Sequence, residues 1–148
     1  MSFWQALRIG SSGLTAQRLR LDLISNNIAN AQTTRTEKGG PYQRQDVIFT
    51  PEGENPSLPQ SVAARRNALT IPQGGVRVAQ ITTDTTAGPR VYDPTNPDAD
   101  ANGYVNYPNV DITVEMTNML SATRSYEANL TSVEAVKRMA LKALEIGK

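Results

Sequence analysis

The sequence predicts an α+β fold, with a long helix at each end of the chain and a small β segment between them. Three observations carry this. All nine prolines lie between Pro41 and Pro108, and a proline costs a helix interior about 3 kcal/mol. Both proline-free ends repeat apolar residues at helical spacing. The stretch between them holds short apolar runs separated by Pro, Gly, Thr and Asn. The expected division is an N-terminal helix and connector over residues 1–36, an extended or β middle over 37–108, and a C-terminal helix over 109–148.

The first helix opens at Ser2, with Gln5 at the capping-box spacing. Leu7, Leu14, Leu21 and Ile28 recur every seven residues, and Phe3, Ile24 and Ala31 fall on the alternate heptad position. This spacing predicts a coiled-coil-like seam. Gly10 and Gly13 each weaken the helix by roughly 1 kcal/mol relative to alanine, or permit a close helix contact. Leu19 and Leu23 fall roughly opposite the seam, so the helix needs more than one apolar neighbour.

The middle carries β signals at Tyr42 to Phe49, Val76 to Thr82 and Pro89 to Asp93, enough for a hairpin or small sheet. The last helix starts at Asp111, a capping residue, with Glu115 in its first turn, where the helix dipole favours negative charge. Met119, Tyr126, Leu130, Val133, Val136, Ala140 and Leu144 share one broad face, and Gly147 fits a C-terminal cap. The seam expected between the two helices comprises Leu7, Leu14, Leu21, Ile24 and Ile28 against Met119, Tyr126, Leu130, Val133, Ala140 and Leu144.

Composition narrows the function. Fifteen basic residues against fourteen acidic give a net charge of +1, which is no footprint for nucleic acid or an anionic membrane. No run of about 18 apolar residues could span a bilayer. The N-terminus lacks the layout of a secretory signal peptide. Without cysteine or histidine, thiol nucleophiles and His-dependent triads are ruled out. Asp84, Asp93, Asp98 and Asp100 could supply carboxylate chemistry, but nothing in their spacing pairs two around a pocket. The run from Asp98 matches four positions of a calcium loop, yet Asn109 stands where the bidentate glutamate belongs. It reads better as an Asx-rich turn leading into a short strand. No metal or cofactor is expected. With only 39% hydrophobic residues and two helices striped on more than one face, the chain reads as a subunit that completes its packing by assembling.

The asparagines are the sharpest clue. LDLISNNIANAQTTRT, Leu21 to Thr36, places three asparagines at the end of a helix, where their amides compete for backbone groups. SSGLTAQRLRLDLISNNIANAQTTRT, followed by GGPYQRQDVIF, resembles the N-terminal signature of the bacterial flagellar axial proteins, the rod, hook and hook-associated family. GYVNYPNVDITVEM and YEANLTSVEAVKRMALKALEIGK resemble the proximal-rod members. Other rod members, or a hook-associated subunit, are the alternative, but they usually carry T-x-G-Y after the asparagines. The resemblance implies a non-catalytic structural subunit of the basal body. It implies export through the flagellar type III apparatus without a cleaved signal peptide, and helical polymerisation across the periplasm with itself and other rod subunits. On that basis Leu19, Leu23, Asn26, Asn27, Asn30, Tyr42 and Phe49 are expected to face neighbouring subunits.

Overall fold

The computed structural model describes residues 3–52 and 74–146. Two long helices dominate: α1 over Phe3–Ala29 and α2 over Ile112–Ile146. Four strands lie between them: β1 (Gln45–Pro51), β2 (Val76–Thr83), β3 (Arg90–Tyr92) and β4 (Tyr104–Asn106). β1 pairs with β2 and β3 with β4, giving two two-stranded sheets. The architecture is the α+β arrangement expected, with each β signal read from sequence found as a strand. The capping roles of Ser2 and Gly147 lie outside the described residues.

Local chemistry explains the boundaries. Asp111 caps α2, its carboxylate accepting the N–H groups of Thr113 at 2.8 Å and Val114 at 3.2 Å. The β1–β2 pair is antiparallel, closed by Glu52 N–H to Gly75 O and by Asp84 N–H to Arg44 O. β3 and β4 are antiparallel with Val91 opposite Val105 and Tyr92 opposite Tyr104.

The loop joining β3 to β4 is the run that resembled a calcium site, and it is a turn. The Asp100 carboxylate accepts N–H groups of Asn102 and Tyr104, while Asn96 caps Asp98 N–H. Gly103 has a positive φ of 78° and sits under the Tyr92 ring, where a Cβ would come within 2.8 Å of it. Arg90 pairs with Asp100 and lies 4.6 Å over the Tyr104 ring, which meets Tyr92 edge-on.

The chain divides into two compact units. The first comprises Met1–Arg18, Ile48–Gln80 and Arg124–Lys148; the second Leu19–Val47 and Ile81–Thr123. In the first, the helices approach closely. A Cβ on Gly10 would overlap Val133, and one on Gly13 would come within 2.9 Å of the Asn129 amide. The two glycines therefore serve close helix contact, the second of the roles open to them in the sequence. Ser12 on α1 accepts the Val76 N–H at 3.0 Å, tying β2 to the helix. In the second unit, Leu23, Ile24, Ala31, Val105 and Ala122 form a small buried core.

Candidate functional site

The second unit encloses the two buried polar side chains among the described residues, Asn27 at 0% exposure and Glu115 at 1%. They touch. Asn27 Nδ2 donates to Glu115 Oε2 at 3.1 Å and to Gln45 O at 2.8 Å. Its Oδ1 accepts from Gln45 N–H at 3.0 Å and from the Tyr42 hydroxyl at 2.9 Å. The carboxamide thus uses two donors and two acceptors, its full capacity. By bonding both N–H and C=O of Gln45, it acts as a strand of one residue against the start of β1.

Glu115 is neutralised where it is buried. Its Oε1 accepts from Arg44 Nε and lies 2.9 Å from Arg44 NH2. Arg44 also reaches Asp46 at 3.2 Å. Burial works to lower the Arg44 pKa, but the hydrogen bond and charge of Glu115, then Asp46, outweigh it and hold the guanidinium above its ordinary value. Burial first, and the Glu115 charge second, push the Tyr42 phenol up, keeping it a donor to Asn27. A charge out of water is tolerated only when paired and hydrogen-bonded in this way.

The expected interface residues divide sharply. Asn26 is exposed, Leu19, Asn30 and Phe49 are half-buried, but Leu23 and Asn27 are buried inside the chain. The expectation that these last two face other subunits is corrected. Their side of α1 packs within the second unit, and Tyr42, half-buried, spends its hydroxyl on Asn27. Asn30 donates to Asn26 O at 2.9 Å, satisfying a carbonyl at the helix end. Of the expected seam, Ile24 is buried and Leu7, Leu14, Leu21, Ile28, Met119, Tyr126, Val133 and Ala140 are half-buried. Leu130 and Leu144 are exposed, so their place on the seam is corrected too. At ~100° per residue, Leu130 falls about 60° and Leu144 about 20° around α2 from Val133, which packs at Gly10.

They are not alone. Ile112, Met116 and Leu120, in the second unit, and Leu130, Leu141 and Leu144, in the first, are all exposed. At ~100° per residue the six fall within a sector of about 120° on α2. Trp4 on α1 is also largely exposed. Exposed Glu127, Glu134, Lys137 and Arg138 share that sector, so the six stand as apolar anchors among charges, a candidate association surface.

The aspartates considered for carboxylate chemistry are taken up in hydrogen bonds and ion pairs. Asp84 accepts N–H of Thr86 at 2.9 Å and the Asn109 amide, Asp93 accepts from Thr95, and Asp98 holds Thr34 at 2.7 Å and Arg35 at 3.6 Å. Each carboxylate is engaged in local structure. Among the described residues no group of three or more His, Cys, Asp or Glu could hold a metal ion. A cleft of about 720 Å³ lies against Thr36, Lys38, Gly40, Tyr42, Thr86 and Tyr107. Glu37 is the one carboxylate lining it, so a two-carboxylate mechanism has no place there.

The exposed carboxylates give a pH prediction. The Tyr104 N–H holds Asp100, and hydrogen bonds from Thr86 hold Asp84, below the ordinary value of 3.8. A carboxyl lowered by folding stabilises the fold fully above its unfolded pKa and loses that contribution as pH falls through the folded value. The β3–β4 hairpin is therefore expected to loosen below about pH 4, seen as loss of the Tyr92–Tyr104 near-UV dichroism. Asp100→Asn should show the loosened signal already at neutral pH.

Comparison with known proteins follows the same division of the chain. Residues 7–35 match the family described as flagella basal body rod protein, and residues 101–146 the C-terminal family of flagellar basal body rod FlgEFG proteins. The chain is 46% identical to the flagellar basal-body rod protein FlgC of Bacillus subtilis, over 100% of both chains. It is 46% identical to that of Borreliella burgdorferi, over 99% of this chain and 98% of that one. Against FlgC of Escherichia coli O6:H1 it is 40% identical over 100% of both.

Proposed function

The chain belongs to the flagellar basal-body rod protein family, typified by FlgC, and is a structural rod subunit, a premise from which we propose that it polymerises helically through the apolar face of α2. Rod subunits of this family are not known as enzymes. The observation that carries the proposal is the α2 face bearing Ile112, Met116, Leu120, Leu130, Leu141 and Leu144, exposed in the single chain. Covering one such side chain contributes about 1.5–3 kcal/mol. A subunit that repeats along a rod covers the face once per copy, and the many contacts together resist shear under torque.

In this reading α1 and α2 pair as an antiparallel coiled coil, consistent with the Gly10–Val133 and Gly13–Asn129 approaches in the first unit. The paired helices form part of the wall of the export channel, and the segment over 37–108 braces neighbours. Asn26, Asn30, Leu19 and Phe49 remain candidates for subunit contacts, as do the termini over 1–36 and 109–148 as axial elements. Partners are further copies of the chain and other rod subunits. Passage through the flagellar type III apparatus, without a cleaved leader, would deliver the subunit to the periplasmic part of the basal body. No helix among the described residues is long and apolar enough to cross a membrane.

The test replaces Leu141 and Leu144 with aspartate. Both side chains are exposed, so the single chain should keep its helix content by circular dichroism, while rods and swimming are lost. Normal rods from this strain would remove the α2 face from the interface.

A further inference from the structure

The cluster around Asn27 adds a directional discrimination to the close approaches at Gly10 and Gly13. Leu7, Leu14, Leu21 and Ile28 recur every seven residues along α1, so sliding the helix by one heptad presents the same leucine row again. Apolar burial is non-directional and separates such alignments weakly. The Asn27 hydrogen bonds are directional and saturated. The Arg44 segment is tied on two sides: the adjacent Gln45 is bound on both its N–H and C=O by Asn27, and the Arg44 carbonyl accepts the Asp84 N–H. A slip of α1 past α2 by one heptad would place Asn27 at Ala122 or beyond the start of α2. Glu115 would lose the Asn27 donor, and the Arg44 segment would have to give up either Asn27 at Gln45 or Asp84 at its own carbonyl.

We infer that Asn27, Tyr42, Arg44 and Glu115 form a register lock, a set of positioning residues that selects one antiparallel alignment of α1 with α2. A buried polar group that fixes helix register is the best-attested use of such a feature. In the rod, the lock fixes where each α1 residue stands relative to the apolar face of α2. That consequence rests on the rod-subunit reading; the lock itself rests on the hydrogen-bond geometry.

The chain contains no cysteine, so introduced pairs report register cleanly. Gly13→Cys with Asn129→Cys marks the observed alignment, and the double change removes the clash at Asn129. Gly13→Cys with Val136→Cys or with Ala122→Cys marks a slip of one heptad either way, since α1 and α2 each run unbroken. With the lock intact, only the first pair should form a disulfide. In Asn27→Leu, Tyr42→Phe, Arg44→Met, Glu115→Leu, a slipped pair should rise several-fold above its background. The native pair alone in that variant overturns the lock. A second arm uses Glu115→Gln, which keeps shape and the Asn27 contact. There, slipped disulfides should rise several-fold with helix content unchanged; no rise overturns the lock, and so does loss of helix in both variants. Rod formation by the lock-intact chain is scored separately, so failure of the rod reading leaves the disulfide result to stand or fall alone.

Discussion

Glu115→Ala is expected to destabilise the folded chain by about 3–5 kcal/mol, the largest effect of any single substitution considered. The change removes the acceptor of Arg44 Nε and of Asn27 Nδ2. It leaves a guanidinium, only 23% exposed at its side chain, with the more exposed Asp46 as its remaining carboxylate. Leaving a buried donor unsatisfied costs about 1–3 kcal/mol beyond the lost bond. Since small domains are stable by only about 5–15 kcal/mol, the variant should unfold at much lower urea and give few or no rods. Glu115→Gln should lie between the two, because an amide oxygen can still accept from Asn27. Urea unfolding followed by circular dichroism checks both; equal midpoints for wild type and Glu115→Ala would contradict the account of the cluster.

Gly10→Leu is expected to separate the helices of the first unit. Even a Cβ at this position would overlap Val133, and overpacking a tight contact costs about 1–3 kcal/mol. The helix itself gains from losing a glycine by about 0.8–1 kcal/mol, so a destabilised outcome must come from the packing. The test is a double-mutant cycle with Val133→Ala. Coupling should restore part of the loss, on the order of 0.5–3 kcal/mol for residues in contact. Additive effects would show that Gly10 does not set the approach.

The helices and strands were legible in the sequence because their signals are local. Proline confined to the middle marked the ends as helical, Asp111 announced a cap, and alternating residues marked β1 to β3. The orientation of α1 was not legible. The leucine heptad pointed to a seam, yet the side chains that fit most closely in the first unit are Gly10 and Gly13, which carry no hydrophobic signal. The smallest residues permit the nearest approach, one of the two roles the sequence left open to Gly10 and Gly13.

Asn27 failed the same way. It reads as an amide for neighbouring subunits until its partners are known, and Tyr42 lies 15 residues away and Glu115 88. Glu115 had a sufficient local reason, the helix dipole, and nothing near it in sequence signals Arg44. One signal could have raised the cluster: four polar side chains of complementary hydrogen-bonding type flank otherwise apolar helix faces and a strand start. The apolar face of α2 was hidden because Leu130 and Leu144 also fit a broad seam. Only burial separates residues so close around one helix.

The central claim is that this chain is a rod subunit whose α2 face is covered by another subunit. Electron cryomicroscopy of purified basal bodies, with the chain placed in the density, measures this directly. The account predicts helically repeated copies in the rod, with Ile112, Met116, Leu120, Leu130, Leu141 and Leu144 buried against a neighbour. Rods in which the chain is absent, or in which that face stays open to solvent in every copy, would contradict it.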